Sequence, residues 1–139
     1  MAFVNDLALI QIYACLCDET RLRIVNLLAR GPLCVCHLQD LLEQTQVHIS
    51  KHLGYLKRKG MVRAARHRNW MIYSLPEQPS SELDANLKCL QECVRTHPVF
   101  KADLRRLKAV RPKVDWLAGG PAREADKPRR NGATARGLK

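Results

Sequence analysis

Apolar positions along this chain change period several times, and each change marks an element. Residues 1–21, "MAFVNDLALIQIYACLCDETR", carry Asp6 inside an apolar stretch and read as an amphipathic helix with no basic leader ahead of it. Asp18 then offers an N-cap to "ETRLRIVNLLAR", where Leu22, Val25 and Leu28 recur at helical spacing before Gly31 ends the run. Pro32 restarts the chain into "LCVCHLQDLL", whose Val35, Leu38, Leu41 and Leu42 form another stripe. After the polar turn "EQTQ", the segment "QVHISKHLGYLKRKG" sets Ile49, Leu53 and Leu56 on one face and Val47, Ser50, Lys51, Gly54 and Arg58 on the other.

The period then shortens. "MVRAARH" and "WMIYSL" flank the polar "RHRN" and predict two strands of a short hairpin, because Met61, Val62, Trp70, Ile72 and Tyr73 suit a pleated surface. Two short helices joined by a turn, followed by a basic hairpin, are the order of a winged helix-turn-helix: a mainly α fold with a small β-hairpin wing. Beyond "PEQPSS", Leu83, Leu87, Leu90 and Val94 repeat along "ELDANLKCLQECVR", a helix whose stripe is expected to pair with a second copy of itself. Pro98 suits the first turn of a further helix, "VFKADLRRLKAV". Residues 1–110 are thus expected to form the DNA-binding and dimerisation domain. Residues 111–139, rich in Gly, Pro and Ala without apolar period, read as a basic disordered tail.

Charge adds a partner to this picture. The chain of 139 residues has a formal net charge of +11, which favours a polyanion, either nucleic acid or, less readily, an acidic membrane surface. No apolar run is long enough to cross a bilayer, so no membrane span is expected. From residue 111 onward eight Lys or Arg stand against three Asp or Glu, so close to half of the excess lies outside the domain. Within it, no acidic residue falls between Glu43 and Glu77, while Lys51, Lys57, Arg58, Lys59, Arg63, Arg66 and Arg68 all do. That window is the second helix and the hairpin. A reading helix needs small or polar side chains facing the groove and cations reaching phosphates. Gln46, Val47, His48, Ser50 and Lys51 are therefore expected at bases or nearby phosphates of a double-stranded operator, with Val47 suited to a thymine methyl. Arg66, His67 and Arg68 at the hairpin tip are expected on the backbone or in the minor groove. The bland alternative is a solvated basic surface, and its weakness is the coincidence of the acid-free window with the helix-turn-helix pattern. His52, beside the buried stripe, is expected half-buried and bonded to backbone.

Cysteine is the second unusual feature. Six cysteines fall in three close pairs, 15 and 17, 34 and 36, and 89 and 93, each in a segment of helical pattern. Such pairs are poorly placed for disulfides, so reduced thiols in a cytosolic, reducing compartment are expected, and soft thiolates bring metal or metalloid binding into view. On a regular helix, residues two apart point to nearly opposite sides, so Cys34 and Cys36 could share an ion only if the first turn unwound. His48 and His52 have ligand spacing, but an ion there would block the DNA face.

Taken together, "DETRLRIVNLL", "LCVCHLQDLL", "QVHISKHLGYLKRKGMV" and "NWMIYSL", spread over residues 18–75, resemble the ArsR/SmtB family of winged-helix repressors. The likeness rests on a Leu-Cys-Val-Cys segment, a Ser-x-His-Leu reading helix and a closing Tyr-x-Leu strand. It implies homodimers through the first and last helices, repression in the absence of inducer, and release on binding a metal or metalloid. It also implies that the inducer thiolates of the arsenic branch are Cys34 and Cys36, with As(III) or Sb(III) as inducer and no cofactor required. Two departures stand out. His37 occupies the place of the usual Asp, and Gln39 that of a third cysteine found in some members. As(III) and Sb(III) prefer three thiolates, whereas Zn²⁺ and Cd²⁺ take four ligands, so Cd, Pb, Zn or thiol oxidation are the alternative signals.

Other readings of the cysteines stay open. Cys34 and Cys36 read as ligands or as two small buried hydrophobes, Cys15 and Cys17 as core, and Cys89 and Cys93 equally as core or as source of a third thiolate. No P-loop, G-x-S-x-G or H-E-x-x-H pattern occurs, so an enzyme is not expected, and the C-x-x-C knuckles of a structural zinc protein are missing too.

Overall fold

A computed structural model of the chain describes residues 2–110 and two short strands at 114–115 and 120–121, with side chains described over residues 9–110. Asp18 accepts a hydrogen bond from the Arg21 backbone N–H at 3.1 Å and so caps α2 (Glu19–Leu28), as its sequence position predicts. Six of the ten residues of α2 are buried, including Ile24 and Leu27, which lie outside the predicted stripe. The reason is enclosure: α1 (Ala2–Leu16), α3 (Val35–Leu42), α4 (Gln46–Arg58), α5 (Ser81–Cys93) and α6 (Pro98–Val110) all pack on it. A one-sided stripe suits a surface helix, and α2 is the hub. Helix α1 departs from amphipathicity, since Ile12 and Cys15 are buried while Ile10 and Tyr13 stand 63% and 54% exposed.

Between α2 and α3 the chain makes a strand that the sequence does not announce. Leu33–Cys34 (β1) pairs antiparallel with Trp70–Ser74 (β3), Leu33 opposite Tyr73 and Cys34 opposite Ile72. Arg63–His67 (β2) pairs with the other edge of β3, giving a three-stranded sheet in the order β1-β3-β2. The wing is therefore stitched to the front of α3. Helix α3 ends at Glu43 in a left-handed conformation (φ 56), and Thr45 caps α4 by accepting from the His48 N–H at 3.1 Å. Ile49, Leu53 and Leu56 are fully buried, as their spacing predicts. Gly60 leaves α4 at φ +77 with open space where a Cβ would stand, so backbone conformation selects glycine there.

Ser80 caps α5 by accepting from the Leu83 N–H at 3.2 Å. Of the stripe expected to pair with a second copy, Leu83, Leu90 and Val94 are buried within this chain and Leu87 stays half-buried. After a short 3₁₀ turn (Val94–Thr96), Pro98 opens α6, which folds back on α2 and α3. There the Arg23 Nε and Nη2 donate to the two carboxylate oxygens of Asp103 at 2.9 and 2.8 Å, and the Asp103 side chain has no exposed surface. Val114–Asp115 (β4) pairs with Gly120–Pro121 (β5) inside the stretch that reads as disordered; the rest of that expectation lies outside the described residues. Among the described residues no helix is long and apolar enough to cross a membrane.

Candidate metal centre and nucleic-acid interface

Cys34 ends β1 and is the N-cap of α3, with extended backbone (φ −92, ψ 168). Its Cα thus lies outside the helical spiral, and its side chain folds over the first turn instead of pointing away from Cys36. The Cys34 Sγ lies 2.7 Å from the His37 Nδ1, and the Cys36 Sγ lies 3.9 Å from the same nitrogen. Ligand atoms of Cys34, Cys36 and His37 all fall within 4.8 Å of one another. This corrects the expectation that the first turn must unwind before the two sulfurs can meet. They meet over a wound helix because one of them belongs to the strand.

Electrostatics divides the pair. The Cys34 thiol is held below its ordinary value, first by the hydrogen bond from Cys36, which outweighs burial, and then by the backbone N–H groups of His37, Cys36 and Cys34. Cys36 is pushed strongly up, because its S–H serves the neighbouring sulfur and because it is itself half-buried. The arrangement sets a sulfur with lowered pKa at a helix N-terminus beside one whose pKa is raised. Sequence spacing flags the two cysteines, but His37 as a third donor atom enters only through the fold.

The remaining cysteines separate. Cys15 is fully buried in α1, and burial pushes its thiol up, consistent with a packing role. Cys17 is exposed and donates to the Ala14 carbonyl at 3.2 Å, so it is not the core residue expected. Cys89 and Cys93 are also exposed, close enough that the charge of Cys89 pushes Cys93 up. Neither packs in the core, and neither joins the Cys34 group.

Beside that group lies a cavity of about 370 Å³. Val35, Gln39 and the two sulfur-bearing residues form one wall. Gln46, at the start of α4, and Asn69, Trp70 and Met71, at the turn of the hairpin, form the others. The cavity thus borders both elements expected on DNA.

Those elements present the predicted side chains outward. Gln46, Val47, His48, Ser50 and Lys51 are exposed on α4, Val47 at 79%. Arg66 and Arg68 are exposed and His67 half-buried, with Arg66 and His67 at the end of β2 and Arg68 in the turn at φ 60. His52 differs from expectation. It is buried against side chains, its Nδ1 lying 3.4 Å from Arg21 Nη1 and 3.8 Å from Asp18 Oδ2, and its ring meets His48 edge-on at 4.7 Å. Arg21, which the sequence does not single out, stacks over the Tyr55 ring at 4.2 Å and donates to the carbonyls of Cys15 at 3.0 Å and Ala14 at 3.1 Å. It ties the end of α1 to α4.

Residues 18–64 match the family described as bacterial regulatory protein, arsR family. The arsenical resistance operon repressor of Escherichia coli (strain K12) is 40% identical over 91 residues, covering 62% of this chain and 78% of that protein. An arsenic resistance transcriptional regulator of Pseudomonas putida is 41% identical over 78 residues, 55% of this chain, which spans 61% of that relative's length. Among solved structures, HlyU from Vibrio cholerae shares the fold with a TM-score of 0.58 at 28% identity, over 64% of this chain and 94% of that one.

Proposed function

As this chain belongs to the arsR family of bacterial regulatory proteins, we propose that it is a cytoplasmic, homodimeric repressor that leaves its operator when As(III) or Sb(III) binds Cys34 and Cys36. The observation that carries this reading is the convergence of those two sulfurs, one of them with lowered pKa, over the front of the helix that packs on α4. Soft trivalent ions exchange hydroxide for such thiolates. In the DNA-bound form, Gln46, Val47, His48, Ser50 and Lys51 occupy the major groove, and Arg66, His67 and Arg68 of the wing reach phosphates or the minor groove. The two-fold partner docks on the exposed apolar face of α1, where Ile10 and Tyr13 stand out. Coupling follows from the shared cavity: an ion on the sulfurs rebuilds a wall that includes Gln46 and the wing turn. Capturing it favours whichever arrangement of these parts it binds better, and it weakens operator binding by that differential affinity.

A second reading has its own support. His37 supplies nitrogen beside two sulfurs, a donor set suited to Zn²⁺ or Cd²⁺. Fluorescence anisotropy of a labelled duplex from the protein's own promoter separates them. Arsenite or antimonite is expected to release the DNA at concentrations where Cd²⁺, Pb²⁺ and Zn²⁺ do not. Replacing Cys34 and Cys36 together by Ser is expected to leave DNA binding intact and abolish release; metalloid release that survives this change overturns the reading.

A further inference from the structure

Leu104 and Leu107 stand one turn apart near the end of α6 and, with Lys108 and with Arg30 just beyond α2, line a groove of about 250 Å³. The two leucines supply apolar surface. The aliphatic stems of the exposed Arg30 and Lys108 extend it and leave two positive charges at its edge. We propose that the occupant of this groove is the chain's own C-terminal segment, residues 114–117, with the Trp116 indole against Leu104 and Leu107 and the Asp115 carboxylate beside Lys108.

Chain length and direction favour this occupant. Helix α6 ends at Val110, and Pro112 bars its continuation by disfavouring helical backbone at Arg111. Trp116 is six residues past Val110, a length that spans about 20 Å when extended. Leu104 lies only about 9 Å back along the helix axis from Val110, so a reversed course brings the indole to the groove without stretching the chain. Composition points the same way. Of the 29 residues beyond Val110, the large apolar ones are Val114, Trp116, Leu117 and Leu138, and three of these four fall in the segment. Pairing of β4 with β5 sets Asp115 opposite Gly120, leaving a four-residue connection that begins with Trp116 and Leu117. A tip closed by a strand pair has less freedom to lose on docking than an open chain has. The groove exceeds the roughly 150 Å³ that holds a benzene ring, so an indole has room in it. Asp115 is one of three acids against eight cations beyond Val110, and it is the one next to the indole, where the groove sets Arg30 and Lys108. Docked in this way, residues 114–117 belong to the domain and start the cationic stretch from Arg123 onward at a fixed point on the subunit.

The test uses the full chain with Trp70→Phe, which leaves Trp116 as the lone indole. Trp116 emission is expected at shorter wavelength than that of a free peptide of residues 111–122, with acrylamide quenching reduced severalfold. Leu104→Gln, which takes apolar surface from the groove, and Asp115→Lys, which sets a cation against its edge, are each expected to return emission and quenching toward the peptide values. Asp115 lies outside the helical domain, so where Leu104→Gln loses its far-UV helix signal, Asp115→Lys alone decides. Peptide-like emission in the parent chain, or shielding unchanged by these substitutions, overturns the proposal. Mixed dimers separate the chain's own groove from that of a second copy. Chains carrying Trp116 with Leu104→Gln are exchanged with an excess of chains carrying Trp116→Phe and the native groove, all with Trp70→Phe. Docking within one subunit leaves Trp116 exposed in the mixture; recovered shielding would seat the segment on the neighbouring subunit and overturn the assignment.

Discussion

At the residue scale, environment rather than residue type decides what each titratable side chain does. His52 and His48 sit one turn apart on the same helix, yet only His52 is buried, facing Arg21, Lys51 and the partly exposed Asp18. Burial lowers its pKa below the ordinary 6.5, and the attraction of Asp18 restores only part of the shift. In the interval just below 6.5 the unfolded chain therefore holds more protons than the folded one. Stability is expected to fall as pH drops through that interval and level off below the folded value. Replacing His52 by Asn should flatten this part of a urea-midpoint profile, leaving the acid limb set by Asp18, whose own pKa is lowered: burial raises it, but the Arg21 N–H and the nearby cations prevail. A wild-type slope retained in the variant would assign the effect elsewhere. The thiols teach the same lesson. Their spacing was legible as a site, but their geometry was not, because a residue two positions from its partner in sequence can sit on a strand instead of a helix.

At the element scale, stripes of fixed period make α2, α3, α4 and α5 legible, Pro98 marks the start of α6, and the cap at Asp18 and the hairpin strands are legible too. What escaped were features without period. The strand β1 is two residues long, too short to show alternation, and it exists because β3 offers it an edge. The enclosure of α2 escaped because a stripe records one neighbour and this helix has five. Arg21 escaped because its worth lies in what it joins. Its guanidinium holds the last carbonyls of α1 and the Tyr55 ring together, so Arg21→Met should loosen α1 against the reading helix. The expected result is faster amide exchange in α4 and weaker operator binding with unchanged arsenite stoichiometry. By contrast, Thr45→Ala, which removes the cap on His48 N–H, should cost about 1 kcal/mol in global stability and leave exchange in α1 as it was. Equal effects of the two changes on α1 would deny Arg21 its bridging role.

At the scale of the whole molecule, the terminal helix decides how independent one subunit can be. The stripe of α5 is expected from sequence to pair with a second copy, and Leu83, Leu90 and Val94 on that stripe, with Phe100 and Leu107 on α6, are buried in this chain's own core. The lock is polar: Asp103, without exposed surface, accepts from Arg23 on α2 and lies 3.7 Å from Arg106 Nη1, whose same nitrogen donates to the Leu41 carbonyl at the end of α3. One carboxylate thus ties α6 to the hub and, through Arg106, to the helix that carries the thiols. Such pairs contribute little over a well-packed apolar pair, but breaking one side leaves a buried charge alone. Asp103→Ala should therefore lower the free energy of unfolding by about 3–5 kcal/mol, read from urea denaturation at fixed protein concentration. The paired change Arg23→Met with Asp103→Leu should recover most of that loss, because no charge is then left buried. Recovery without restored metalloid release would mark the Arg106 branch as the route by which α6 holds α3 in place. A double variant as weak as the single one would mean that α6 is held by this ion pair for more than its charge.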